Sequence, residues 1–243
     1  MMKTAVVMGA SSGMGLEIAR ILLAKGWRVG VAARRAEPLR ELCSQWPECA
    51  HAAIIDIDSD SAQERLLGLF GELGGAIDLY VHTAGIGKTN MELEPRTELA
   101  TVETNGLGFT RMVTAAFNHM ATHGGGHIAA ITSIAGTKGL GAAPAYSATK
   151  AFQNCYLQAL EQQSAMRKLG ITFTDVRPGF VDTALLGGDH YPMLMDCKTT
   201  AAGIVNAILA HRHVCVIDWR WRLLTALWRR VPRWLWRRLP VHQ

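Results

Sequence analysis

Ser133, Tyr146 and Lys150 are residues whose types and spacing could do acid–base chemistry. Tyr146 and Lys150 lie four apart, so on a helix both side chains project from one face. A phenol with a pKa of about 10 is a poor acid–base catalyst at neutral pH, but a nearby ammonium favours the phenolate and draws it toward working range. Ser133 follows the apolar run His127-Ile128-Ala129-Ala130-Ile131, which reads as a buried parallel strand. A hydroxyl at the carboxyl end of such a strand faces the ligand crevice of an open α/β sheet. A Tyr and a Lys four apart are in most helices no more than surface neighbours, so the rest of the chain has to decide.

The elements that would position them are legible as an alternation. With 243 residues, 49% hydrophobic and 19% charged, the chain suits a globular α/β domain rather than a disordered one. Strands are expected at about 3–9, 27–33, 51–56, 77–82, 126–132, 171–177 and 213–217, and helices at about 13–25, 37–46, 60–74, 97–122, 146–168 and 199–210. Strand–helix alternation implies right-handed crossovers and a doubly wound, Rossmann-like parallel sheet in a single domain over residues 1–218. The opening run to Gly9 is too short and apolar for too few residues to read as a signal peptide, and is expected to be the first strand. Five scattered cysteines with no CxxC pair point to reduced thiols in the cytoplasm.

The first turn, Gly9-Ala10-Ser11-Ser12-Gly13-Met14-Gly15, lies between a strand and a helix. Glycines there let backbone approach a pyrophosphate, and the helix N-terminus supplies free N–H groups. The second strand ends Ala33-Arg34-Arg35, where an acidic residue would suit the ribose of NAD and arginine suits the extra phosphate of NADP, so NADP(H) is favoured over NAD(H). Asp56, with Ile57 beside it, could reach the adenine. Ala84 and Gly85 would let a ribose lie against backbone, and Pro178, Gly179, Val181 and Thr183 would border a flat ring and its amide. Asn105, inside a long helical pattern, needs buried partners, and a local helix distortion explains it as readily as catalysis. His119, His123 and His127 are spaced in fours, but Gly124-Gly125-Gly126 interrupts any shared helix and no metal site is expected.

Gly9xxxGly13xGly15, Asp56, Ala84-Gly85, Asn105, Ser133, Tyr146xxxLys150 and Pro178-Gly179 through Thr183 follow the order and spacing of the classical short-chain dehydrogenase/reductase family, which the chain resembles over about residues 3–217. Two positions depart from it: Met8 replaces the usual threonine, and His82-Thr83 replaces the usual Asn-Asn before Ala-Gly. The resemblance implies that Tyr146 is the general acid for carbonyl reduction and the base for alcohol oxidation. It further implies that Lys150 lowers the phenol pKa and holds the nicotinamide ribose, that Ser133 steadies the substrate oxygen, and that Asn105 positions a relay water. It also implies a homodimer or homotetramer meeting through the helices near 105–122 and 146–168. Substrate contacts are expected from 134–141 and from the Leu- and Met-rich segment 184–195, favouring an apolar carbonyl or alcohol.

Residues 219–243 hold seven arginines and no acid; set against a net charge of +5, they leave the rest of the chain at −2. On a helical wheel Trp221, Leu223, Leu224, Leu227, Trp228 and Val231 fall on one side, with Arg222, Arg229 and Arg230 opposite, and Pro232 breaks the pattern. Three readings stay open for residues 219–239: a peripheral membrane surface, packing on the protein or a second subunit, and, least favoured, nucleic acid. A rival to the enzyme is a nucleotide-sensing or membrane-tethered scaffold, against which the intact Ser133, Tyr146 and Lys150 argue.

Overall fold

The computed structural model describes residues 2–186 and 191–239. Seven strands form one parallel sheet: β1 (Thr4–Met8), β2 (Arg28–Ala33), β3 (Ala50–Ile54), β4 (Leu79–His82), β5 (Gly126–Ile131), β6 (Ile171–Arg177) and β7 (Val214–Val216), in the order β3-β2-β1-β4-β5-β6-β7. The period of two sorts each strand between two cores. Val6 and Met8 of β1 face α3 (Ala62–Glu72), α5 (Phe109–Thr122) and α6 (Pro144–Arg167), while Ala5 and Val7 face α1 (Gly13–Ala24), α2 (Ala36–Gln45) and α7 (Cys197–Leu209). The strand order reverses between β1 and β4, and that reversal opens a crevice at their carboxyl ends.

The expected strands and helices are present within a few residues at each end, with one break. The pattern read as a single helix over 97–122 is α4 (Pro95–Val102), a π-helical turn over Glu103–Gly108, and α5. That turn holds Asn105, which is fully buried, so the helix distortion considered for it is present.

The basic tail forms α8 (Trp219–Trp228) and α9 (Arg233–Trp236), divided at Pro232. Of the apolar side drawn on the wheel, Trp221, Leu224 and Trp228 turn inward against Ile134, Val181 and Met195, whereas Leu223 and Leu227 turn outward. Trp221 is 2% exposed, crosses Phe180 edge-on at 5.4 Å between centroids, and donates from Nε1 to the Met193 carbonyl at 3.3 Å. Its indole lies where a Cβ on residue 179 would be, which is why Gly179 has to be glycine. Farther out, Trp236 Nε1 donates to the Gly139 carbonyl and Lys138 Nζ to the Val231 carbonyl, both at 2.8 Å. Replacing Trp221 with alanine is expected to cost about 3 kcal/mol in urea unfolding. The same change at Trp234, 59% exposed, is expected to stay within about 0.5 kcal/mol.

Candidate active site

The crevice is built from strand ends and the turns that leave them. β1 runs into the glycine turn, where Gly9 adopts φ +98° and donates its N–H to the Ala32 carbonyl at 2.7 Å. A Cβ on Gly9 would meet Thr83 Oγ1 at 2.5 Å, and one on Gly15 would run into the Gly9 carbonyl. Backbone there is packed against backbone, leaving the N-terminus of α1 open. Ser12 stands at its N-cap with no side-chain hydrogen bond to the helix. Arg35 lies across the turn instead, donating to Ser11 Oγ at 3.1 Å and Ser12 Oγ at 2.7 Å. With Arg34, Asp56, Ile57, Ala84, Gly85 and Thr183, these residues line a cavity of about 370 Å³.

The two departures from the expected pattern have a physical account. Thr83 donates from both its backbone N and its Oγ1 to the Met8 carbonyl, each at 2.8 Å, tying β4 to the glycine turn. The Met8 side chain is apolar and fully buried in the core. His82, also buried, bonds the Tyr80 hydroxyl through Nδ1 at 3.0 Å. Burial, then the Lys150 charge, pushes its pKa down to about 3, so it is neutral at physiological pH.

Ser133, Tyr146 and Lys150 converge on a second cavity of about 680 Å³, continuous with the first through Met14, Thr83, Gly85, Ile86 and Thr183. Ser133 ends the loop after β5 and caps a short 3-10 turn, its Oγ accepting from Ala135 N at 3.0 Å. Tyr146 stands in the first turn of α6, which opens with Pro144 at a position suited to its fixed φ. Glu98 of α4 holds that turn, accepting from Ala145 N at 2.9 Å while its other oxygen accepts from Asn90 Nδ2 at 2.9 Å. Pro178, Gly179 and Val181 line the same cavity, as do parts of the two segments expected to contact substrate; 187–190 lie outside the described residues.

Lys150 is 5% exposed, and its Nζ donates to the Ile131 carbonyl at 3.1 Å and to Gln153 Oε1 at 3.0 Å. Burial lowers its pKa from 10.5 to about 8, against an opposing pull from Asp175. Here the sequence expectation is corrected. The Tyr146 phenol is pushed up, not down: burial dominates, the Ser133 hydroxyl opposes it, and the ammonium lies 5.7 Å from the ring centroid. Asn105 stands in the π-helical turn before α5. Its amide is committed to the loop after β4, accepting from Ile86 N at 2.9 Å and donating to Ile86 O at 2.7 Å. Its own carbonyl accepts from Gln153 Nε2 at 2.8 Å, so the Gln153 side chain runs from Asn105 to Lys150.

Sequence reasoning missed Gln153 and Gly87. Gln153 stands one turn after Lys150 on the same face, a spacing that could have flagged it. A Cβ on Gly87 would sit 2.6 Å from the Tyr146 ring. Trp221, Leu224 and Trp228 form one wall of the larger cavity.

The family model for short chain dehydrogenases matches residues 3–190. The chain belongs to the short chain dehydrogenase family. Among relatives of this short chain dehydrogenase, an uncharacterized oxidoreductase of Myxococcus xanthus is 34% identical over 201 residues, covering 79% of this chain and 77% of the relative. Among solved structures, a short chain dehydrogenase from Burkholderia cenocepacia in complex with NADP superposes with a TM-score of 0.85 at 21% identity, covering 99% of this chain and 98% of that one. A 3-ketoacyl-(acyl-carrier-protein) reductase from Brucella melitensis complexed with NADH gives 0.79 at 22% identity, covering 89% and 96%. Both share the fold.

The depressed Lys150 pKa makes a stability prediction for this dehydrogenase. Between about pH 8 and 10.5 the folded chain has released a proton that the unfolded chain still holds, so stability rises with pH across that window. The wild type is expected to gain about 3 kcal/mol relative to Lys150→Met over that range, read from paired urea titrations.

Proposed function

We propose that the chain is an NADP(H)-dependent oxidoreductase that interconverts a carbonyl and an alcohol on an apolar small molecule. The observation that carries this reading is the convergence of Ser133, Tyr146 and Lys150 on a cavity that opens into a glycine cradle rimmed by Arg34 and Arg35. The cradle fits a dinucleotide: Gly9 and Gly15 leave no room for side chains, and the N-terminal amides of α1 lack a side-chain cap. Gly13 and Met14 would border the pyrophosphate, Arg34 and Arg35 would hold an extra ribose phosphate, Asp56 and Ile57 the adenine, and Pro178 to Thr183 the nicotinamide. When bound, the cofactor supplies the hydride.

The chain's own residues move the proton. In reduction the Tyr146 hydroxyl donates to the substrate oxygen, and in oxidation it takes the proton back. Burial holds the phenol protonated at neutral pH, so the proton is present to be donated, and the Ser133 hydroxyl, which lowers the phenol pKa, favours its release. Ser133, fixed by its bond from Ala135 N, directs its hydroxyl proton to the same oxygen as negative charge develops there. Lys150 places an ammonium beneath Tyr146, with Gln153 and the Ile131 carbonyl setting its position. The wall of Trp221, Leu224 and Trp228 excludes water and selects apolar substrate.

We read residues 1–218 as the catalytic domain and 219–243 as an appended tail. Two or four copies are taken to meet across the helical residues near 105–122 and 146–168, where exposed Leu107, in the π-helical turn, and Phe152, in α6, support an interface. The five cysteines are free thiols, in keeping with the cytoplasm.

Tyr146→Phe is expected to lower NADPH-dependent turnover of apolar ketones by about 10²–10⁴-fold while leaving NADPH binding intact; unchanged turnover would refute the assignment. Arg35→Ala is expected to weaken NADPH binding by about 10- to 100-fold and NADH binding little, measured by cofactor fluorescence. Equal loss for both cofactors would remove the phosphate role.

A further inference from the structure

Trp219, Leu223 and Leu227 recur every four residues along α8 and are 69%, 56% and 57% exposed. The opposite side of the same helix is already buried against the body through Trp221 and Thr225. A helix that has docked one face has no folding reason to carry a second apolar one. The outward apolar positions continue past Pro232 with Trp234, 59% exposed, and Leu239, 42% exposed. Arginines surround them. Arg220 is paired with Asp218, but among the described residues Arg222, Arg229, Arg230, Arg233, Arg237 and Arg238 have no acidic partner within ion-pair distance.

The geometry points to an anionic lipid surface as the occupant of this face. Tryptophan and leucine flanked by arginine, with no acid after Asp218, is the composition of a helix lying in the plane of a bilayer interface. α8 has 10 residues, and no helix among the described residues is long and apolar enough to cross a membrane, so the segment lies on the surface. A second copy is a poor occupant, because a two-fold contact through this face would bring two arginine clusters together with no acid between them. A polyanion such as nucleic acid would leave the leucines nothing to bury against. The inward side of α8 walls the cavity that holds Ser133 and Tyr146. Resting on the oxidoreductase reading, the substrate is therefore a lipophilic carbonyl or alcohol that partitions into the same bilayer.

The test is flotation of the full-length protein with vesicles of phosphatidylcholine alone and of phosphatidylcholine with phosphatidylglycerol, at low and high salt. Wild type is expected to float with the anionic vesicles at low salt and to stay below with the neutral ones. Trp219→Ser/Leu223→Ser/Leu227→Ser, all surface changes, is expected to lose at least about ten-fold in partitioning. Arg229→Gln and Arg230→Gln are expected to lose about five-fold each. Wild type that stays below with anionic vesicles, a triple variant that floats like wild type, or a sedimenting dimer that the triple variant splits would overturn the proposal. NADPH fluorescence on the same samples reports separately on the cofactor cradle: its absence would sink that reading and leave the vesicle result standing.

Discussion

The arrangement of this site depends on one buried charge. Lys150 carries an ammonium into a place that is almost closed to water, with no carboxylate among the described residues within ion-pair distance, and such a group is tolerated only where hydrogen bonds replace its hydration. Its acceptors come from separate segments. One is the last carbonyl of β5, at Ile131; the other is Gln153, one turn along α6, whose amide is oriented by the Asn105 carbonyl in the π-helical turn. The Asn105 side chain then pairs with both backbone groups of Ile86 and fixes the loop after β4. A single charge thus sets the relative positions of β5, α6, the turn before α5 and the loop that borders both cavities. The depressed pKa of Lys150 is the sign that this placement costs stability at neutral pH.

A second constraint works on the cofactor side. The glycine turn must keep its backbone open toward the crevice, so it has to be held from behind. Thr83 does this by donating twice to the Met8 carbonyl. A residue that replaces asparagine at the end of β4 thereby keeps β1 and β4 in contact at the point where the sheet reverses. Met8 can be wholly apolar because the hydroxyl comes from the opposite strand. His82 and Tyr80 form their own buried pair beneath, and the neutrality of His82 avoids a second positive charge beside Lys150.

These relations explain what could be read from the chain and what could not. The strands were legible because each is a short apolar run bounded by turn residues, and the sheet followed from their alternation with helices. The glycine turn, Ser133, Tyr146 and Lys150 were legible because their chemistry fixes their spacing. The π-helical turn at 103–108 was not, since one extra residue in a turn barely alters the periodicity of a long helix. The direction of the Tyr146 shift was missed because burial, which depends on the loops folded around it, outweighs the opposing hydrogen bond from Ser133. In the tail the wheel displayed one broad apolar arc. Only the docking of Trp221 against Gly179 shows that the arc is split, half toward the cavity and half outward.

That split separates two kinds of specificity. The family match spans residues 3–190 and includes every residue assigned to proton transfer and to the cradle. Trp221, Leu224 and Trp228 lie beyond it, yet they line the same cavity as Ser133, Tyr146 and Lys150. Family membership therefore bears on the reaction and says little about the molecule that undergoes it. The wall comes from one helix, anchored by an indole against a glycine, and the segment after it is tied to the loop after β5 by Lys138 Nζ donating to the Val231 carbonyl and Trp236 Nε1 donating to the Gly139 carbonyl. Changes on its inward side alter the shape of the cavity while leaving Tyr146, Lys150 and the hydrogen bonds that hold Lys150 in place.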